Sequence, residues 1–198
     1  MDRPDLSIEQ ARQRIDDLAG VDDLRLTLGG VGDPLLHDQC LEVIAHARER
    51  GVRAIHVETD LLDIPADRIA ALVSSGVDII SLHLPAMTAG TYATVMGVDR
   101  FADAVNGLSA LLQARQAAQS GVPLVVPIFT KCRQNFGEME AWYDHWLRLL
   151  GSAVITGPST HGGLIPDVSV ADMQGAKRRP VSDCITIQSD NSEKWGLY

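Results

Sequence analysis

Cysteine is scarce in this sequence, and its three copies, Cys40, Cys132 and Cys184, lie far apart. Three separated cysteines cannot build the dense disulfide framework of a small secreted domain. They also form no CxxC pair that could hold a metal ion locally. Because a few unpaired thiols are typical of a reducing compartment, we expect a cytoplasmic protein.

Long apolar runs and an excess of positive charge are also absent. No apolar stretch approaches the roughly 20 residues that a membrane-spanning helix needs, and residues 1–5 lack the apolar core of a signal peptide. The 198 residues carry 17 Lys and Arg against 26 Asp and Glu, a net charge of −9. The short basic run at 177–179 does not offset this. We therefore expect neither a nucleic acid nor a membrane as a partner.

What the sequence does contain is a regular alternation of amphipathic stretches and short aliphatic runs. Ser7 and Gln10 have the spacing of a capping box at the first helix. Glycines follow the predicted helices as stop signals, at Gly20, Gly51, Gly76, Gly121 and Gly151. The pattern predicts helices over 7–18, 38–50, 66–75, 101–119 and 137–150, and strands over 24–28, 54–59, 78–84, 123–130 and 153–156.

Strict alternation with strands that read as apolar on both faces predicts an α/β fold with a parallel sheet. Five strands that follow an opening helix fit either a partial barrel or an open doubly wound sheet, and periodicity alone leaves this choice open. Trp142, Tyr143 and Trp146 recur at helical spacing and predict packing between a helix and the sheet. We expect one domain over 1–158 and an irregular segment over 159–198, with one strand candidate at 185–188.

Chemistry-bearing residues cluster where the predicted strands end. Ligands of parallel α/β folds bind at the carboxyl ends of the strands, so we expect these residues to converge on one rim. In chain order the five strand ends carry Gly29 to Pro34 with Asp33, then Glu58-Thr59-Asp60, then Ser81 and His83, then Thr130-Lys131, and finally Gly157 with His161 farther on.

Each group also has a structural interpretation that the sequence leaves open. Gly29 to Pro34 can be a tight turn in which Asp33 caps a helix, and its GGxGDP pattern is not a dinucleotide-binding GxGxxG. His56 and His83 can be hydrogen-bonded residues of a barrel interior. Glu58 and Lys131 can form a structural ion pair at the mouth of the barrel.

The order of the motifs resembles that of radical S-adenosylmethionine (radical SAM) proteins, particularly those with a SPASM-type extension. Residues 30–37 (GVGDPLLH) resemble the family's GxGEPLLH turn, and residues 76–86 (GVDIISLHLPA) resemble its fourth strand, which typically reads SGVDxVSVSLDA. Residues 91–97 (TYATVMG) are similar to ETYxxVMG and precede the helix start Asp99-Arg100-Phe101. The likeness extends over roughly residues 7 to 190.

Two further segments carry the resemblance toward the end of the chain. Lys131, Asn135 and Glu138 fall where the family's fifth strand and its turn often read K-x-N-x-x-E. Arg179-Pro180 and residues 185–190 resemble the start of the cysteine-rich extension, usually RPC followed by a strand and DG.

The resemblance implies a fold and a pair of cofactors. The five strands would be the second to sixth of a six-stranded partial (β/α) TIM-type barrel. The family holds a [4Fe–4S] cluster on CxxxCxxC after the first strand, and the cluster cleaves SAM to a 5′-deoxyadenosyl radical that abstracts a substrate hydrogen.

The resemblance also implies which residues bind SAM. The glycine-rich turn and its carboxylate would bind the methionine end, Ser81 and His83 would lie near the ribose, and Lys131 would approach the substrate or the SAM carboxylate. The full set of SAM-binding candidates is Gly30, Gly32, Asp33, Pro34, Glu58, Thr59, Ser81, His83 and Lys131.

Several family features are missing. No CxxxCxxC occurs, so we do not expect the cluster to assemble on this chain alone. Asp33 replaces the usual Glu, and Asp60-Leu61 replaces the Asn-Gly of a TNG sequence. Val181 stands where the extension has a cysteine, which leaves Cys184 as a shifted candidate metal ligand.

Three hypotheses for function follow. The first is a truncated radical SAM enzyme, through an incomplete reading frame, a late start or trimming, that is inactive as given; its partners are SAM and, by the SPASM likeness, a peptide or protein substrate. The second is a degenerate, non-catalytic binding module on the same barrel. The third is a metal-dependent hydrolase or lyase that uses Asp33, Glu58, His83 and His161 around a divalent ion.

Overall fold

The computed structural model of the protein describes residues 6–30, 32–158, 186–188 and 194–196. The predicted cores of all five helices and all five strands are present, and their ends differ from the prediction by a few residues. The helices are α1 (Ile8–Leu18), α2 (Cys40–Glu49), α3 (Ala66–Ser74), α4 (Ala89–Met96), α5 (Phe101–Ala117) and α6 (Met139–Leu150), with short 3-10 helices at Pro34–Leu36 and Phe136–Glu138. The strands are β1 (Arg25–Leu28), β2 (Ala54–Thr59), β3 (Ile79–His83), β4 (Leu124–Thr130), β5 (Val154–Thr156), β6 (Thr186–Gln188) and β7 (Lys194–Gly196).

The order of the strands decides between the two architectures that the sequence left open. β1 to β5 form one parallel sheet in the order β1-β2-β3-β4-β5, so every connection steps to the next strand in the same direction. A doubly wound sheet would reverse direction at a switch point, and this sheet does not. Because parallel crossovers are right-handed, stepping one way places the helices on one side of the sheet. The fold is therefore a partial (β/α) barrel, as predicted.

The two faces of the sheet differ in polarity. The prediction that both are apolar holds for the face toward the helices and for Leu124, Val126 and Ile128 on the other face, but it is wrong near the carboxyl ends of the strands. The face toward the helices is buried, with Ile55, Val57, Ile80, Leu82 and Phe129 each 0% exposed. The other face, which we call the open face, carries a polar set made of Thr27, His56, Glu58, Ser81, His83, Thr130 and Thr156. The helices cover only the other face of this sheet. Most of the polar side chains on the open face are therefore at least partly exposed to solvent.

The predicted packing of the α6 aromatic residues on the sheet is correct for the two tryptophans and wrong for Tyr143. Trp142 is fully buried against Phe129, with ring centroids 5.1 Å apart, and Trp146 is also buried. Positions 142 and 146 lie four residues apart on one helix face, whereas 143 is turned about 100° away from 142. Tyr143 is accordingly 36% exposed.

The helix-end signals are confirmed at most positions. Ser7 and Gln10 form the expected reciprocal capping box. Gly51, Gly76 and Gly151 follow their helices in the left-handed region that favours glycine. Gly121 does not end α5, because the helix stops at Ala117 and Gln119 takes the left-handed conformation with φ 50°.

Helix α4 was not predicted from the sequence, which indicated neither a helix nor a strand over residues 85–100. Gly90, Thr91 and Thr94 lower its intrinsic helix propensity. The helix nevertheless begins at an N-cap, where Thr88 accepts a hydrogen bond from the Thr91 N–H at 3.3 Å. It also buries Tyr92 completely against the helical layer. Tertiary packing therefore outweighs propensity here.

The C-terminal part of the chain is described only at two short strands. β6 matches the strand candidate at 185–188 and pairs with β7 in antiparallel register, with Ile187 opposite Trp195. The division between 1–158 and 159–198 stays a prediction. In the part of the chain that the structure describes, no helix has the length and apolarity needed to cross a bilayer.

A contact between α5 and the β2–α3 loop yields a stability prediction. A Cβ at Gly107 would lie 2.6 Å from the carbonyl oxygen of Leu61 and 2.9 Å from its Cβ. Leu61 is buried and already has a positive φ of 53°, so the loop has little freedom to move. Gly107→Ala should lower the free energy of unfolding by about 1–3 kcal/mol, measured by urea denaturation.

Gly90→Ala is the matched control, since Gly90 also lies in a helix and nothing stands within 4 Å of its added Cβ. It should raise stability by about 0.5 kcal/mol through helix propensity. If the Gly107→Ala protein were as stable as the Gly90→Ala protein, α5 would not pack as closely on Leu61 as the structure shows.

Candidate functional site: the polar rim of the open face

Side chains from four consecutive strand ends, those of β1 to β4, meet at the carboxyl edge of the sheet. The turn after β1 supplies Asp33, and β2 ends in Glu58 and Thr59. His83 and Thr130 are the last residues of β3 and β4. Hydrogen bonds join Asp33 to Thr59 and His83 to Thr130, and Asp60 lies between the two pairs, whereas Glu58 has no partner among the described residues.

Asp33 is held by the protein itself. One carboxylate oxygen accepts the Leu35 N–H at 2.9 Å and caps the 3-10 helix, which confirms the capping interpretation. The other oxygen accepts the Thr59 hydroxyl at 2.7 Å and the Asp60 N–H at 2.9 Å. Since a carboxylate offers about four acceptor positions, little of this group is left for a ligand.

Glu58 is in the opposite situation. A Cβ at Gly29 would lie 2.5 Å from Glu58 Oε2, so only glycine lets this carboxylate lie against the backbone of the turn. Glu58 is exposed, and among the described residues its carboxylate has neither a hydrogen bond nor an ion pair. The ion pair with Lys131, which the sequence left open as an alternative, is therefore not formed in the structure. The role of Gly29 was not predicted from the sequence, although the adjacent glycines Gly29 and Gly30 are a signal for it.

The glycine-rich turn is set by backbone geometry. Gly30 and Gly32 have φ of 114° and 89°, which non-glycine residues rarely adopt; Val31 between them lies outside the described residues. Pro34 begins the 3-10 helix. A cavity of about 540 Å³ lies beside β1 and is lined by this turn, by α1 and by α2. Of the nine SAM-binding candidates, Gly32, Asp33 and Pro34 line this cavity, and the other six do not.

Ser81 and His83 both lie on the open face but in different hydrogen-bonded groups. Ser81 Oγ is 2.8 Å from His56 Nε2, and Thr27 Oγ1 is 3.4 Å from the other nitrogen of His56. His83 Nε2 is 3.1 Å from Thr130 Oγ1, and its Nδ1 is 3.4 Å from Asp60 Oδ1. The alternative interpretation of both histidines as hydrogen-bonded barrel residues fits these contacts.

Asn135 and Glu138 form hydrogen bonds with the loops that follow β3 and β4. Asn135 is fully buried, accepts the Cys132 N–H and donates to the carbonyls of Pro85 and Thr130. The Glu138 carboxylate accepts the Met87 N–H at 2.6 Å. The connection after β4 thus fixes the connection after β3.

The hydroxyl groups at the start of α4 complete the binding of Glu138. Thr88 and Thr91 donate to one carboxylate oxygen at 2.9 and 2.7 Å. Burial by itself raises the pKa of Glu138, but the hydrogen bonds from Met87, Thr91 and Thr88 outweigh it and leave the pKa below its ordinary value. The ionised carboxylate therefore stabilises the folded state.

The cysteines do not fit an iron–sulfur cluster. Cys40 and Cys132 are buried, and burial raises the pKa of the Cys40 thiol to about 11. Iron binds the thiolate, which this environment disfavours. Cys184, the candidate ligand of an extension, lies outside the described residues. With three cysteines in the whole sequence, the described part of the chain offers no site for the cluster.

The predicted divalent metal centre gains no support from the described residues. They contain no group of three or more His, Cys, Asp and Glu side chains that could hold a metal ion. Of the four proposed metal ligands, Asp33, Glu58 and His83 belong to the described residues, while His161 lies outside them. The metal-dependent hydrolase or lyase stays a prediction.

Three solved structures share this fold. HydG, a maturase of the [FeFe]-hydrogenase, is 14% identical and matches with a TM-score of 0.57 over 85% of this chain and 40% of that chain. Methylornithine synthase (PylB) is 14% identical, with a TM-score of 0.60 over 79% of this chain and 45% of its own. Coproporphyrinogen III oxidase (HemN) from Escherichia coli, a radical SAM enzyme, is 16% identical, with a TM-score of 0.56 over 83% and 40%.

The TM-scores establish a common fold, and the low sequence identities support nothing finer. This chain spans less than half the length of each of the three proteins. No protein-family model matches the sequence, and no curated protein matches it.

The Glu138 contacts predict how stability depends on pH. Glu138→Gln should lower the free energy of unfolding by about 1–3 kcal/mol at pH 7, because three donors lose a charged acceptor. Since the folded-state pKa is below the ordinary 4.5, this contribution is present above pH 4.5 and is lost as the pH falls through the folded-state value. Urea denaturation across this range should show the wild type and the variant converging in acid.

Glu140→Gln is the control, because Glu140 is exposed in the first turn of α6. Its effect should stay within about 0.5 kcal/mol and change little with pH. Equal effects at positions 138 and 140 would contradict the bracing role of Glu138.

Proposed function

We propose that this chain forms the SAM-binding wall of a radical SAM enzyme. The order of its motifs, the sequential five-stranded parallel sheet and the fold shared with the radical SAM enzyme HemN support this proposal. The single observation that carries it is Glu58, an exposed carboxylate without a partner among the described residues, which lies against the backbone of the glycine-rich turn. Such a carboxylate can accept charge-assisted hydrogen bonds from the ammonium group of a methionine moiety.

This proposal changes the role of Asp33. Its two oxygens already accept three hydrogen bonds from the protein, so Asp33 shapes the turn. Glu58 then binds the ammonium group in its place. Gly30 and Gly32 keep the turn open to the ligand, Ser81 and His83 face its ribose, and Lys131 pairs with its carboxylate.

The cluster has to come from elsewhere. In radical SAM enzymes, a reduced [4Fe–4S] cluster cleaves bound SAM to a 5′-deoxyadenosyl radical. The thiolates of CxxxCxxC are not in this sequence, and the Cys40 and Cys132 thiols are buried. We therefore propose that polypeptide outside these 198 residues supplies them and that the chain alone is catalytically inactive.

A finer assignment rests on the end of the chain. The SPASM-type subgroup, with its peptide or protein substrates, is proposed from Arg179-Pro180 and Cys184, which lie outside the described residues. A cytoplasmic location is proposed from the scarcity of cysteine.

Reconstitution tests whether the cluster ligands come from polypeptide outside these 198 residues. After anaerobic incubation with iron and sulfide, the 198 residues alone should show no [4Fe–4S] absorbance and form no 5′-deoxyadenosine from SAM and dithionite. The same chain extended by in-frame upstream coding sequence with CxxxCxxC should do both, and replacing those cysteines by Ala should abolish both. Failure of the extended chain to form 5′-deoxyadenosine although its cluster assembles would refute the proposal.

The ammonium site is tested by the binding of SAM itself. Glu58→Gln should weaken binding about tenfold, because a charge-assisted hydrogen bond contributes about 1.5–3 kcal/mol and 1.4 kcal/mol corresponds to a factor of ten. Saturation-transfer NMR on the 198-residue chain measures this even for weak binding.

Glu49→Gln is the matched control, since Glu49 is exposed at the end of α2. It should bind SAM like the wild type. Equal affinity of the Glu58→Gln and Glu49→Gln proteins would exclude Glu58 as a ligand, and no detectable binding by the extended wild-type chain would exclude the SAM site. SAM binding by an extended chain that cannot assemble a cluster would favour the degenerate binding module instead.

A further inference from the structure

A continuous line of side chains crosses four strands at the rim. Asp60, directly after β2, lies 3.4 Å from His83 Nδ1 at the end of β3. His83 Nε2 lies 3.1 Å from the hydroxyl of Thr130 at the end of β4. Thr130 Oγ1 is in turn 3.4 Å from Thr156 Oγ1 at the end of β5.

The order of groups in this line is a carboxylate, an imidazole and two hydroxyls. An acceptor-only carboxylate beside Nδ1 favours the tautomer with its proton on that nitrogen. Nε2 is then the basic nitrogen, and it faces the Thr130 hydroxyl. The side chains of Asp60 and His83 are each 36% exposed, so the line is open to a ligand and adds little to the core.

Asp60 is placed by the backbone rather than by His83. Its N–H donates to Asp33 at 2.9 Å, and the next residue, Leu61, is buried and donates its N–H to the Thr59 hydroxyl at 2.9 Å. The carboxylate therefore stands beside His83 before any ligand arrives. A distance of 3.4 Å in an unliganded site is compatible with a bond that shortens on binding.

We propose that Asp60, His83 and Thr130 form a proton-transfer relay for a ligand with an acidic O–H or N–H group on the open face. The ligand's O–H or N–H bond breaks as Thr130 Oγ1 takes the proton. The hydroxyl proton of Thr130 moves to His83 Nε2, where a new N–H bond forms. The ligand is left with one negative charge, and the carboxylate of Asp60 stabilises the positive imidazolium.

His56 provides a comparison within the same sheet. It also bridges two strands, but among the described residues both its nitrogens face hydroxyl groups, of Ser81 at 2.8 Å and of Thr27 at 3.4 Å. No carboxylate in the described part of the chain pairs with its ring. The two histidines share an environment of β-strand and open face, and they differ in the acidic partner that the relay requires.

The tautomer of each ring tests the arrangement. In long-range ¹H–¹⁵N NMR of histidine-labelled protein at about pH 8.5, where an ordinary imidazole is neutral, His83 should be protonated on Nδ1. Asp60→Ala should shift it toward the Nε2–H form, and Thr130→Val should shift the Nε2 resonance by removing its donor. Thr27→Val should alter His56 and leave His83 unchanged. A wild-type His83 protonated on Nε2 would overturn the proposal.

Reactivity of the ring gives a second measure. Carbethoxylation by diethyl pyrocarbonate, followed residue by residue by mass spectrometry, reports how nucleophilic the free nitrogen is. Asp60→Ala should slow modification of His83 about tenfold, the size expected for losing a charged partner, and should leave His56 unaffected. Equal slowing at both histidines, or none at His83, would contradict the relay.

The relay goes beyond the SAM-binding proposal and is measured without SAM. Its failure therefore leaves Glu58 and the SAM site untouched, and the absence of SAM binding would not change the tautomer or the reactivity of His83.

Discussion

The carboxylate of Asp33 joins the turn after β1 to the end of β2, and the shape of the rim depends on this junction. The carboxylate accepts hydrogen bonds from the backbone N–H groups of Leu35 and Asp60 and from the side-chain hydroxyl of Thr59. The Asp60 side chain is thereby presented to His83 on the next strand. The Asp33 carboxylate thus holds the turn after β1 and the end of β2 in one arrangement, because hydrogen-bonded backbone groups cannot rotate independently.

The same junction explains why two acidic residues on neighbouring strand ends have different functions. Asp33 has most of its acceptor capacity used inside the protein, whereas Glu58 has none of it used among the described residues. A cationic ligand group therefore gains more from Glu58, where no internal hydrogen bond has to be broken. The open face combines this carboxylate with the line of Asp60, His83 and Thr130, so ligand binding and proton transfer would occupy adjacent strands.

Much of the fold could be predicted from the sequence because local sequence patterns determine where its helices and strands begin and end. Aliphatic runs, the Ser7–Gln10 capping box and glycine stop signals located the strands and helices, and the strand-end rule located the rim. The failures have physical causes. Helix α4 has weak local propensity and is stabilised by the burial of Tyr92, and the left-handed end of α5 falls on Gln119 rather than on a glycine. Such outcomes depend on tertiary packing, which a local pattern does not record.

By itself the sequence determined the alternation of strands and helices, the polar residues at the strand ends and the absence of CxxxCxxC. Only the tertiary structure decided that the sheet is wound in one direction, that Asp33 is engaged while Glu58 is available, and that His83 lies between Asp60 and Thr130. The reason is distance along the chain. Residues 47 positions apart, as His83 and Thr130 are, meet only when neighbouring parallel strands bring their ends together.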